Sequence, residues 1–140
     1  MQPNESQVEA DVARIEPDDR RVVVRFGGET IADSRGAIRV TEAGHPPVFY
    51  IPPEDVHVEV LDAIERQTEC PIKGIAHYYD IVVGTERAEA AAWCYPEPKP
   101  AFEAIQSAIA FYPAQIEATV DGTPVTPEEN PYYGGWVIDA

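Results

Sequence analysis

Hydrophobic and polar side chains along this chain alternate in short runs, and that two-residue period predicts strands over most of its length. Arg21-Val22-Val23-Val24-Arg25-Phe26 is β-branched and reads as a strand. Gly27-Gly28 is a hairpin signal, and Glu29-Thr30-Ile31-Ala32-Asp33 is the returning strand. Ser34-Arg35-Gly36 turns the chain into Ala37-Ile38-Arg39-Val40-Thr41-Glu42, so three strands are expected to form an antiparallel meander. Gly44-His45-Pro46-Pro47 is a stiff loop, and Val48-Phe49-Tyr50-Ile51 runs to a stop at Pro52-Pro53. Val56-His57-Val58-Glu59-Val60 alternates as a half-buried strand would.

Beyond a polar stretch, Cys70-Pro71-Ile72-Lys73-Gly74 is a turn that opens the best-defined strand, Ile75 to Val83. Ile75, His77, Tyr79, Ile81 and Val83 share one face of it, and Ala76, Tyr78, Asp80 and Val82 the other. Ala90 to Tyr95 is its expected partner across the Gly84-Thr85-Glu86 link. Pro96-Glu97-Pro98-Lys99-Pro100 is extended. A helix is then predicted from Pro100 to Pro113, with Ala101, Ile105, Ala108 and Tyr112 in one stripe and Phe102 and Ile109 widening it. Ile116-Glu117-Ala118-Thr119-Val120 alternates again before Asp121-Gly122. These elements indicate a mainly β fold with a minor helical part: a small antiparallel sheet or half-closed barrel with one helix packed on it. Residues 1–20, with a weak helical spacing of Val8, Val12 and Ile15, form a flexible or partly helical arm. Residues 21–122 form the domain, and 123–140 a tail whose Tyr132, Tyr133, Trp136 and Val137 pack back on it.

Charge narrows the functions. Of 140 residues, 25 are acidic and 10 basic, a net charge of −15, which repels nucleic acid phosphates and anionic membrane alike. Nucleic acid and membrane are therefore not expected partners. No run approaches the roughly 20 apolar residues of a membrane span, and the start at Met1 lacks the basic and apolar regions of a secretory signal, so a cytoplasmic protein is expected. Cys70 and Cys94 are then reduced thiols, and the absence of C-x-x-C argues against structural zinc.

Four segments carry a resemblance: Phe26-Gly27-Gly28-Glu29-Thr30-Ile31-Ala32-Asp33-Ser34, Cys70 to Tyr79, Ala91-Ala92-Trp93-Cys94-Tyr95-Pro96-Glu97-Pro98-Lys99-Pro100, and Ala110-Phe111-Tyr112. Taken in that order they are similar to the domain-of-unknown-function 427 family, sometimes labelled nucleotidyltransferase-like, over about Arg21 to Gly122. Ile72 departs from the tryptophan often found there. The resemblance implies a compact mainly β domain, of the tent type of methionine sulfoxide reductase B relatives, and implies no mechanism.

Chemistry concentrates on the segment from Cys70 to Tyr79. Lys73 and Lys99 are the only lysines, and both fall in these segments. An ammonium at the Lys73 turn, with His77 and Tyr79 on the adjoining strand, suits a small polar or anionic ligand or acid–base work. Trp93, Tyr95 and His45 are the further ligand-binding candidates. The leading expectation is a ligand-binding β domain in which Lys73 and His77 enter one cavity. The alternatives are an enzyme using Lys73, His77 and Cys70, the thiol being activated by the nearby cation, and a module docking a protein through its aromatic tail. Nucleotidyl transfer needs carboxylates converging on Mg²⁺, and Asp33 has no companion at D-x-D spacing while Asp18-Asp19 lies in the arm. No pair among His45, His57, His77, Cys70 and Cys94 has metal-ligand spacing, so neither metal nor cofactor is expected.

Overall fold

The computed structural model describes residues 13–128 and 134–138. The expectations for residues 1–12, Val8 and Val12 included, and for Tyr132 and Tyr133 lie outside them. The described chain is mainly β, built from twelve strands and three short 3₁₀ turns. The strands are β1 (Ala13–Asp18), β2 (Val22–Phe26), β3 (Glu29–Ser34), β4 (Ala37–Glu42), β5 (Val48–Tyr50) and β6 (Leu61–Cys70). They continue as β7 (Gly74–Val83), β8 (Glu86–Cys94), β9 (Ala110–Phe111), β10 (Glu117–Val120), β11 (Thr123–Pro127) and β12 (Trp136–Ile138). They form three antiparallel sheets, ordered β1-β4-β5, β12-β11-β10-β2-β3 and β6-β7-β8-β9, each running between two edge strands rather than closing on itself.

Local chemistry explains the parts that follow the alternation. Gly27 and Gly28 both have positive φ (60° and 82°), as a tight hairpin of matching twist requires, and they join β2 to β3. Val22 and Val24 of β2 point inward and are fully buried, while Arg25 lies exposed. The predicted meander ends at β3, however. Ser34 accepts a hydrogen bond from the Gly36 amide at 3.0 Å and donates to Asp55 at 2.7 Å. From that corner the chain crosses to another sheet, where β4 pairs with β1 and β5. From Ala13 onward the expected loose or helical arm is thus a strand, with Ile15 opposite Val40.

Two further expectations are corrected. The helix from Pro100 to Pro113 is a 3₁₀ segment, Pro100–Ile105, broken by a non-helical backbone at Phe102 (φ −111°, ψ 18°). Ser107 then takes a positive φ of 60° and the chain enters β9, which pairs with β8. Ala108 to Phe111 are all buried, and a continuous apolar run is read equally well as buried strand or helix. Val56 to Val60 is not a strand: Val58–Val60 is a 3₁₀ turn with Val58 50% exposed. The polar stretch before Cys70 is itself the ten-residue β6.

The β7–β8 ladder separates two cores. Ile81, Ala92 and Cys94 face a core with Val22, Val24, Phe49 and Trp136, whereas Ala76, Tyr78, Trp93 and Tyr95 face one with Val40, Tyr50, Phe102 and Ile105. Trp136 is fully buried, and its indole donates to the Phe111 carbonyl at 3.0 Å. Truncating a side chain so placed costs roughly 3–5 kcal/mol.

Candidate functional site

The turn between β6 and β7 is where the fold places its charged chemistry. Gly74 has φ +121°, and a Cβ there would lie 3.2 Å from the Glu97 carbonyl oxygen. That close approach seats the proline-rich strap against the turn. Both lysines of the chain fasten this spot. The Lys99 amide donates to the Lys73 carbonyl at 2.8 Å, and the Lys99 ammonium donates to the Pro71 carbonyl. The Lys73 ammonium turns inward and ion-pairs with Glu42 of β4, joining two sheets.

Lys73 is only 7% exposed, a rare placement for a lysine and one that requires a partner. Its Nζ lies 4.0 Å from Cys70 Sγ and 5.8 Å from the centre of the Phe102 ring. Beside it opens a cavity of about 220 Å³, walled by Tyr50, Tyr78, Trp93, Tyr95 and Tyr112, with Glu42, Cys70 and Lys73 as its polar side. The walls are tilted rather than stacked. Tyr50 meets Trp93 nearly at a right angle (87°, centroids 6.3 Å), and Trp93 lies against Tyr112 at 4.4 Å. Burial pushes the Tyr95 and Tyr112 hydroxyls well above the usual phenol range, so both are neutral donors at physiological pH. Gly134 lies against this wall: a Cβ there would meet Tyr112 at 2.8 Å and Trp93 at 3.0 Å.

A second cavity of about 500 Å³ adjoins the first, sharing Thr68, Tyr78 and Tyr112 with it and adding Arg66, Glu89 and Ala90. Thr68 and Tyr78 hydroxyls are hydrogen-bonded at 2.9 Å, and the Arg66 guanidinium sits 4.8 Å above the Tyr78 ring.

The expectation that Lys73 and His77 enter one cavity is corrected by strand alternation. Tyr78 lines the cavity with Lys73, so His77 and Tyr79, one residue to either side, belong to the opposite face of β7. There His77 is half-buried between Gln67 and Cys94 in the ladder. Tyr79 is hydrogen-bonded to the Cys94 thiol at 3.4 Å. That contact and burial push its hydroxyl up to about 12, while burial raises the Cys94 thiol. Trp93, Tyr95, Lys73 and Cys70 are brought together; His77, Tyr79 and His45 are not among them. His45 instead contacts Glu128 at 3.3 Å, and Glu128 also accepts the Gly135 amide. His57 lies beside Glu59 at 3.6 Å.

Carboxylates that nucleotidyl transfer would need are occupied elsewhere. Asp18 holds Arg20 and Arg39, and Asp33 holds Arg21. Among the described residues no group of three or more His, Cys, Asp and Glu is arranged to hold a metal ion. Nor is any helix among them long and apolar enough to cross a membrane.

Sequence reasoning passed over Glu42, Tyr50, Thr68, Tyr78, Tyr112 and Arg66. Tyr78 carried a signal in its shared face with Ala76, and Tyr112 in the Ala110-Phe111-Tyr112 segment. Glu42 is 31 residues from Lys73, and nothing in local pattern joins them.

Residues 14–122 match the family described as Domain of unknown function (DUF427), and the chain belongs to that family. No curated protein matches it.

Proposed function

We propose that the protein binds a small polar molecule in the aromatic cavity beside Lys73 and Glu42. The observation that carries this reading is an ammonium sunk to 7% exposure on the wall of a cavity that five aromatic side chains also line. A site of convergent polar groups among aromatic walls is the usual form of a small-molecule pocket. The ion pair refines the ligand. Glu42 neutralises Lys73, so the cavity presents a dipole rather than a net positive charge, and a bare anion would meet the carboxylate as well as the ammonium. A neutral or zwitterionic group, with a donor for Glu42 and an acceptor for Lys73, complements it. Tilted walls suit a compact group better than a flat ring slotted between parallel faces.

The test is a thermal-shift screen of small polar metabolites on the parent protein and on Lys73→Met/Glu42→Leu, which removes both charges together. A compound that raises Tm in the parent and not in the double variant supports the reading. A screen in which no compound raises Tm, or equal stabilisation of both proteins, overturns it.

A further inference from the structure

Arginines of this acidic chain are mostly satisfied by carboxylates: Arg20 and Arg39 by Asp18, Arg21 by Asp33, and Arg87 by Asp80 and Asp62. Among the described residues Arg25, Arg35 and Arg66 make no ion pair with a carboxylate, and of these it is Arg66 whose guanidinium rests on a ring, 4.8 Å from the Tyr78 centroid, at the edge of a cavity. Stacking on a ring holds the guanidinium by its face and leaves its edge donors available. With 25 acidic side chains in the chain, a cation in a cavity left to an aromatic face is a selective placement.

The cavity that Arg66 lines is opened by a bulge. Ala92 of β8 stands opposite Tyr79 and Ala88 opposite Ile81, so three residues of β8 span one of β7. Ala90 takes a positive φ of 49° there, unusual for an alanine, and is held by its amide donating to Asp80 at 2.7 Å. Asp80 is buried and fixed in turn by Arg87 at 2.6 Å. Ala90 and Glu89 line the same cavity as Arg66 and the shared hydroxyls.

We infer that this second cavity is an oxyanion subsite, in which Arg66, joined by the one hydroxyl proton that the hydrogen bonds among Thr68, Tyr78 and Tyr112 leave over, takes a carboxylate or phosphate group. It deepens the reading above: the ligand class is a small molecule with a polar, uncharged or zwitterionic head beside Lys73 and Glu42 and an oxyanion at Arg66. Glu89, on the same cavity wall, sets a limit on the ligand's charge by repelling a second anionic group. The guanidinium fork matches either oxyanion in two parallel hydrogen bonds.

Inorganic phosphate and acetate, each titrated at ionic strength matched with sodium chloride, test the subsite without the head group. The readout is the backbone amide shifts of Thr68, Tyr78 and Ala90 in two-dimensional NMR spectra. Saturable shifts of these residues are expected with at least one of the two anions, phosphate or acetate identifying the group preferred. Arg66→Gln, a substitution at an exposed side chain that leaves the fold intact, raises the dissociation constant about tenfold or more. Arg35→Gln, at an exposed arginine outside this cavity, leaves it unchanged. Absence of saturable shifts with both anions, or equal effects of the two arginine variants, overturns the inference. Such a result leaves the Lys73 cavity standing, because the metabolite screen tests that cavity separately.

Discussion

Replacing Glu42 by leucine leaves the Lys73 ammonium, with a side chain 9% exposed, without its counter-charge. Breaking a buried pair from one side costs about 3 kcal/mol or more, a fall of roughly 10 °C in Tm for a domain of this size. Lys73→Met strands the Glu42 carboxylate instead. That side chain keeps 18% exposure and so retains more of its hydration, which makes the second substitution the milder one. Removing both charges eliminates the stranded partner. Lys73→Met/Glu42→Leu is expected within about 1 kcal/mol of the parent, because apolar groups of similar volume replace a pair whose desolvation offsets its attraction. The coupling energy is then at least about 3 kcal/mol, measured by urea unfolding at constant m in all four proteins. Urea is chosen because it leaves the ion pair unscreened, as guanidinium chloride would not. Effects that add within about 0.5 kcal/mol would refute the buried pair.

Three other outcomes follow from the same packing. Gly74→Ala should cost about 2 kcal/mol, since φ is +121° and the new Cβ would press on the Glu97 carbonyl, whereas Gly28→Ala, in open space at φ +82°, should cost about 1 kcal/mol, both read by urea unfolding. Thiol titration should label Cys70 in the folded protein. Cys94, buried and with its thiol raised by that burial, should react only on unfolding, and equal rates would contradict the opposite-face placement. Tyr79 ionises at about 12 in the fold against a usual 10.0, so the neutral hydroxyl is the form the fold favours. Its contribution to stability is full below pH 10 and is lost as pH rises through about 12, and Tyr79→Phe should flatten that alkaline loss in unfolding curves.

How much the sequence disclosed depended on whether local pattern or distant pairing decided each element. The β2–β3 hairpin was legible because two glycines set its turn. So was β7, whose alternation extends over ten residues. Strand β6 was not, because it is an edge strand with a register shift between Ala63 and Gln67, and most of its side chains are exposed on both faces. Pairing of β4 with β1 was also hidden: β1 is polar and carries Pro17, which an edge position tolerates. The spacing of Ala101, Ile105, Ala108 and Tyr112 matched a helix by count, but Ala101 and Ile105 lie in a 3₁₀ segment while Ala108 and Tyr112 flank the short strand β9. At the site, the scarcity of lysine drew attention to Lys73. Which face of β7 it shares depends on the turn in three dimensions, and that reversed the roles of His77 and Tyr78.

The chain has two tryptophans, Trp93 in the cavity wall and Trp136 in the opposite core, bonded to the Phe111 carbonyl. Their two indole N–H signals in a proton–nitrogen spectrum therefore report the two sides of the fold separately. Binding beside Lys73 and Glu42 predicts that a compound found by thermal shift moves the Trp93 signal saturably and leaves that of Trp136 in place. Movement of Trp136 alone, or of neither, would contradict it.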